Sequence, residues 1–204
     1  MKSPLKQFVT PANAAKLIAI LLALAGYSIS PIGPLSGAQS QREQADKGTV
    51  YEGRVVRVAD GDTVSVVDMH GAQHKVRLFA IDAPELKQAH GSQSQGWLAD
   101  QVLNETVKVK VVDRDRYGRE VGTLFKPGEP CDQALCPNDT DLNLRLVEEG
   151  HAWWYRDYAK HQSREDRQRY NRAEDNAREQ RHGLWARPEP QAPWAWRAEN
   201  RRTD

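Results

Sequence analysis

Three acidic residues stand where β-rich segments end: Asp62 in Asp60-Gly61-Asp62-Thr63, and Asp82 and Glu85 in Ile81-Asp82-Ala83-Pro84-Glu85. Carboxylates gathered at strand termini can offer hard oxygen ligands to a divalent cation such as Ca2+. Each motif alone has a simpler reading, since Asp and Gly make turns and a Glu can follow a helix-starting proline. Together they point to a site. Arg77 precedes Asp82 on the same segment, embedded among Val76, Leu78, Phe79, Ala80 and Ile81. A guanidinium in such company needs a partner, either a carboxylate in a structural ion pair or a phosphate. Strict strand alternation puts Arg77 and Asp82 on opposite faces, so a bulge or strand end must separate them if they share a site. Arg119, just after Tyr117-Gly118, taken alone reads as a solvated turn residue.

The elements that must position these groups follow from hydrophobic patterning. Val50 to Ala59, Thr63 to Asp68 and Gln73 to Ile81 are β-rich and joined by Asp60-Gly61-Asp62 and Met69-His70-Gly71, which predicts a three-stranded meander. Pro84 stops the third strand. Gln93 to Glu105 carries Trp97, Ala99 or Asp100, and Leu103 at helical intervals. Val107 to Val112 and Val121 to Phe125 are two further strands around the turn at Gly118. Leu142, Leu146 and Val147 recur at helix spacing, with Asp141 or Asn143 as N-cap and Gly150 at the end. Ser163 to His182 is a charged helical run that stops at Gly183. This order predicts an α+β, mainly β domain: a five-stranded OB-type barrel with about three packed helices. Such barrels bind nucleic acid in many settings, but the fold alone does not separate an enzyme from a binding module.

Four ordered blocks resemble the staphylococcal-nuclease family. They are Val58-Ala59-Asp60-Gly61-Asp62-Thr63-Val64; Val76-Arg77-Leu78 leading to Ile81-Asp82-Ala83-Pro84-Glu85; Asp115-Arg116-Tyr117-Gly118-Arg119; and Asn143 through Trp153, continuing to Gly183-Leu184-Trp185. The resemblance spans the chain from about Val50 to Trp196. It implies that Asp62 and Asp82 bind one divalent cation, Ca2+, through their carboxylates and Ala83 through its backbone carbonyl. An alanine where threonine is also found costs nothing in a main-chain ligand. It further implies that Glu85 orients or deprotonates the attacking water, that Arg77 and Arg119 clamp the phosphate, and that Tyr117 and Tyr158 lie beside the substrate, DNA or RNA. Phosphodiester hydrolysis asks for these parts on its own terms. The scissile group is anionic, so a cation and guanidinia must neutralise charge building on the phosphoryl oxygens, and a carboxylate must assist the water. The competing readings are a non-catalytic OB-fold module that binds nucleic acid or protein, and an exported structural domain in which the charges form salt bridges.

Composition adds little to the choice. Lysine and arginine number 29 against 28 aspartates and glutamates in 204 residues, so any polyanion site must come from local clustering. The chain is long enough for one domain with extensions. Residues 1–38 read as an export signal: Lys2, Lys6 and Lys16 precede the apolar run Leu17 to Ala25, and Ser36-Gly37-Ala38 offers small residues for cleavage. The run is shorter than the roughly 18 residues of a spanning helix, the alternative being an uncleaved membrane anchor. Residues 39–48 then read as a linker, 49–197 as the nuclease-like domain and 198–204 as a polar tail. An exported protein, periplasmic or secreted, is expected, monomeric and with no protein partner implied. Outside the cytoplasm Cys131 and Cys136 are expected to form a disulfide in a proline-rich insertion. A zinc site is disfavoured, since no second Cys or His pair accompanies them. The arginines of the last helical run, Arg164, Arg167, Arg172 and Arg178, alternate with Glu165, Glu174 and Glu179 and read as a solvated, ion-paired face. Trp194 and Trp196 read as packing anchors.

Overall fold

A computed structural model describes residues 47–201. The apolar run Leu17 to Ala25 and the cleavage point after Ala38 lie outside the described residues. Among the described residues, no helix is long and apolar enough to cross a membrane.

The strands are β1 (Val50–Asp60), β2 (Thr63–Asp68), β3 (Gln73–Leu78) and the two-residue β4 (Ile81–Asp82), followed after helix α1 (Gly91–Val102) by β5 (Thr106–Arg114) and β6 (Glu120–Lys126). Short β7 (Thr140–Asp141) leads into α2 (Leu142–Glu148), and β8 (Trp153–Trp154) precedes α3 (Arg164–Glu179) and α4 (Pro193–Asn200). β1 pairs with β2 and β5, β2 with β3, and β5 with β6, all antiparallel; a parallel β3–β6 pairing closes the five long strands into a barrel. This is the expected α+β, mainly β architecture. The helix α4 and the 3-10 turns Arg156–His161 and Gly183–Ala186 are additional to the expected elements.

Period-two patterning fills the barrel. On β3, His74, Val76 and Leu78 are buried while Gln73 and Lys75 are exposed. Val55, Val64, Val66, Val109 and Leu124 join them at zero exposure. Each such side chain contributes about 1.5–3 kcal/mol on removal from water, as an upper estimate. Alternation leaves Arg77 on the other face of β3, outside the barrel interior.

Helix ends follow the expected chemistry where a side chain can cap. Asp141 caps α2 by accepting from Leu144 N at 3.0 Å, and Ser163 caps α3 through Asp166 N at 3.0 Å. Asn143, the other capping candidate, has a different task. Its fully buried amide accepts from Leu124 N (3.1 Å) and donates to Phe79 O (2.9 Å) and Gly122 O (3.2 Å), tying α2 to β6 and to the chain leaving β3. Asn143→Ala is therefore expected to cost roughly 3 kcal/mol, about 1 for each stranded backbone group; urea denaturation measures it, and a loss within experimental error would refute this role.

One face of α3 corrects the solvated reading. Glu174 is fully buried, accepts from Trp154 N (3.2 Å) and pairs with Arg156 (2.8 Å) and Arg178 (3.5 Å). The Arg178 guanidinium lies over the Trp185 ring, 3.9 Å from its centroid. The apolar neighbours come from β8 and the Gly183–Ala186 turn, which helical periodicity within α3 does not reveal.

Cys131 and Cys136 form a disulfide. The loop around it is tied to the barrel by Asp139, which accepts from Gly128 N (2.9 Å), Cys136 N (2.7 Å) and Lys108 Nζ (2.8 Å). Since Asp139 holds the loop independently of the sulfurs, replacing both cysteines with serine is expected to leave the activity of the protein nearly intact and to cost at most about 2–3 kcal/mol. A severalfold loss of activity in the folded double variant would show that the loop reaches the site.

Candidate active site

Three turns bring the acidic and basic residues together. The first is the β1–β2 connection, where Asp60 pairs with Thr63 and Gly61-Asp62 forms the loop. Asp60 Oδ1 accepts from Asp62 N at 3.0 Å, fixing the turn. A Cβ at Gly61 would collide with Ser94 of α1 and with the Ala83 side chain, so glycine permits the helix and the β4 loop to close on the turn. Asp62, only 6% exposed, reaches inward: its Oδ2 accepts from Ala83 N (2.8 Å) and pairs with Arg77 Nη1 (3.0 Å), while its Oδ1 accepts from Thr63 Oγ1 (3.1 Å).

The second turn resolves the parity problem between Arg77 and Asp82. β3 ends at Leu78, and the buried Ala80 takes a left-handed φ of 63° before β4 begins. This reversal puts both residues on one side. Arg77 Nη2 donates to Asp82 Oδ1 (2.9 Å), and Nη1 donates to the carbonyls of Leu78 (3.0 Å) and Ile81 (3.1 Å). Of the two partners the sequence allowed for Arg77, the structure shows the carboxylates, Asp62 and Asp82 both. Glu85 follows on the loop leaving β4, its side chain 34% exposed.

The third turn is Asp115-Arg116-Tyr117-Gly118-Arg119, which connects β5 and β6. Asp115 organises it by accepting from Tyr117 N (2.9 Å), Arg119 N (2.9 Å) and Arg119 Nε (2.6 Å). Burial would raise the Asp115 carboxyl, but hydrogen bonds from Arg119 outweigh it and hold it below the usual carboxylate range. Arg119 is thus clamped through Nε, which aims its terminal nitrogens rather than leaving a free surface side chain. Tyr117 is 69% exposed and sits beneath both the Arg116 and Arg119 guanidinia, at 4.9 and 5.7 Å from the ring centroid. Tyr158 comes from the Arg156–His161 turn and packs edge-on against Phe79 and Tyr155, each at 5.5 Å.

All eight residues expected at the site, Asp62, Arg77, Asp82, Ala83, Glu85, Tyr117, Arg119 and Tyr158, line one cleft of about 360 Å3. Arg116, Tyr155, Arg197 and Arg201 line it as well and were not expected. Arg116 lay inside a recognised turn and could have been suspected from its position beside Tyr117. The two C-terminal arginines carry no local signal, because they arrive through tertiary docking of α4.

The acidic side chains lining the cleft, Asp60, Asp62, Asp82 and Glu85, are all carboxylates. Such a set suits a hard divalent ion rather than zinc. Among the described residues, no group of three or more His, Cys, Asp and Glu side chains is arranged to hold a metal ion. Burial chiefly pushes the Asp62 carboxyl up, with the Arg77 guanidinium opposing that rise and the charges of Asp60 and Asp82 adding to it.

A closed five-stranded barrel carrying one cleft lined by carboxylates and guanidinia defines a class, small α+β barrel proteins with a charged cleft. Comparison with known proteins narrows it. Residues 75–187 match the family model described as staphylococcal nuclease homologue. The chain is 43% identical over 148 residues to "Micrococcal nuclease" of Shigella flexneri, covering 72% of this chain and 80% of that protein. It is 39% identical over 151 residues to an "Uncharacterized endonuclease" of Escherichia coli O157:H7, covering 71% and 84% respectively. A similarly named protein of Haemophilus influenzae is 32% identical over 148 residues, covering 72% and 74%. The chain belongs to the staphylococcal nuclease family.

Proposed function

We propose that this protein, a nuclease and hence a hydrolase of phosphodiester bonds, cleaves DNA or RNA with the help of one divalent cation, Ca2+, and acts outside the cytoplasm, in the periplasm or after secretion. Family membership carries the nuclease reading. The observation that supports the finer one is the convergence of Asp62, Asp82 and Glu85 with Arg77 and Arg119 in a single cleft.

Asp62, Asp82 and the Ala83 carbonyl would hold the ion, which when bound supplies Lewis-acid polarisation of the phosphoryl group. Glu85, on a loop and partly open to solvent, accepts a proton from the attacking water. Arg119, oriented by Asp115, neutralises charge developing on a phosphoryl oxygen; a donor of this kind is commonly worth about a hundredfold or more in rate. Arg77 contributes mainly by holding the two aspartates in place and adding its charge to the field of the cleft. Tyr117 offers an exposed ring beside the scissile group for a sugar or base, and Tyr158 lines the same cleft.

The test is cleavage of a fluorophore–quencher oligonucleotide by the full-length protein, first with Ca2+ and then with chelator. Signal release that needs Ca2+ and stops on chelation is expected. Cleavage that ignores chelator would remove the ion from the proposal, and binding without cleavage would replace the enzyme by the OB-fold binding module.

A further inference from the structure

Arg197 is among the cleft residues that the proposed chemistry leaves without a task. It comes from α4, and it contacts the two carboxylates with the most distinct proposed roles. Its Nη2 lies 2.7 Å from Asp82 Oδ2, and its Nη1 lies 3.1 Å from Asp82 Oδ1 and 2.9 Å from Glu85 Oε1. Asp82 is 1% exposed, and its Oδ1 already accepts from Arg77. One guanidinium therefore occupies the remaining oxygen of a carboxylate proposed to ligate the cation and, with the same fork, holds the carboxylate proposed to take the proton from water. The two-pronged geometry matches a strong charge-assisted pair.

The helix is built to deliver this side chain. Pro193 opens α4, and Trp194 packs at 72° against Trp153 with centroids 5.4 Å apart. Trp153 is the cross-strand partner of Asp82 in the β4–β8 pairing. Just before α4, the Gln191 carbonyl accepts from Gln88 Nε2 at 2.6 Å, on the loop that carries Glu85. The helix is thus docked on the strand and loop whose carboxylates Arg197 engages.

Three carboxylates, Asp62, Asp82 and Glu85, face Arg77 and Arg197, so Arg197 supplies positive charge where a cation would supply it. A divalent ion and a guanidinium drawn to one buried carboxylate repel each other across a few ångströms of low dielectric. We propose that Arg197 is a built-in competitor of the divalent cation, an intrachain counter-ion that must release Asp82 before the ion is bound, so that the C-terminal helix sets the metal affinity of the site. This rests on the metal reading given above. Binding of the ion and engagement of Asp82 by Arg197 are then linked, and each weakens the other by the same factor.

Calorimetric titration of Ca2+ into full-length wild-type, Arg197→Gln, Arg197→Lys and Asp62→Asn proteins tests it without any measurement of cleavage. Arg197→Gln is expected to bind Ca2+ about tenfold more tightly than wild type, the order of one charge-assisted hydrogen-bonded pair. Arg197→Lys, which keeps a charge but loses the fork, is expected to fall between the two and serves if the glutamine variant does not fold. Asp62→Asn is expected to bind more weakly than wild type. Unchanged or weaker Ca2+ binding in both Arg197 variants, with wild-type binding intact and Asp62→Asn impaired, would overturn the competition and leave the metal reading standing. Absence of saturable Ca2+ binding in every protein would overturn the metal reading, and this inference with it.

Discussion

An Arg77→Gln variant is expected to lose about 3–5 kcal/mol of folding stability, the usual cost of removing one partner from a buried ion pair. For a domain of this size that corresponds to a melting point lower by roughly 10 °C. The guanidinium is 13% exposed and pairs with Asp62 and Asp82 while also donating to two carbonyls. Glutamine leaves Asp62 without its guanidinium partner and Asp82 with Arg197 alone, at the junction of β3 and β4. Burial disfavours charge on Arg77, yet Asp62 and Asp82 more than compensate and raise its pKa. Lysine should recover part of the stability, since it restores a charge but cannot span both acids and both carbonyls. Thermal and urea unfolding measure the effect. A loss below about 1 kcal/mol would mean that the aspartates do not depend on Arg77, and the cleft would then need another account of how its acids are held.

Glu85→Gln is expected to behave in the opposite manner, with little change in stability and a fall in turnover of at least about a hundredfold at saturating Ca2+. Glutamine keeps the size of the side chain and can still accept from Arg197, but it cannot take a proton from water. The side chain is 34% exposed, so the fold loses little when its charge is removed. Single-turnover cleavage of a labelled oligonucleotide separates this from weakened binding. Turnover within a few-fold of wild type in the folded variant would exclude Glu85 as the base and bring the binding-module reading forward.

The barrel was legible in the sequence because its determinants are local. Alternating valines on β2 and β5, and the turn glycines Gly61, Gly71 and Gly118 between strands, state which residues face inward and where the chain turns. The acids were legible because two short motifs at strand ends stand together, whereas Arg119 by its own neighbours reads as a solvated turn residue and was singled out by the family resemblance. Two matters needed the third dimension. Whether Arg77 and Asp82 share a face depended on a left-handed residue at Ala80, and nothing in the side chain of alanine announces a positive φ. Glu174 looked like any helix-surface acid because its burial comes from β8 and the Gly183–Ala186 turn, which lie outside its own helix.

The sequence by itself determined a mainly β barrel with helices packed on it, because periodicity and turn preference act over a few residues, and its ordered motifs carried the resemblance that singled out the carboxylates, arginines and tyrosines. Only the tertiary structure decided which charges neutralise which. The Arg197 contacts with Asp82 and Glu85 join residues 115 and 112 positions apart, and their existence depends on where α4 docks. Docking is set by Trp194 on Trp153 and by Gln88 on the Gln191 carbonyl, contacts between distant segments whose energies no local pattern encodes.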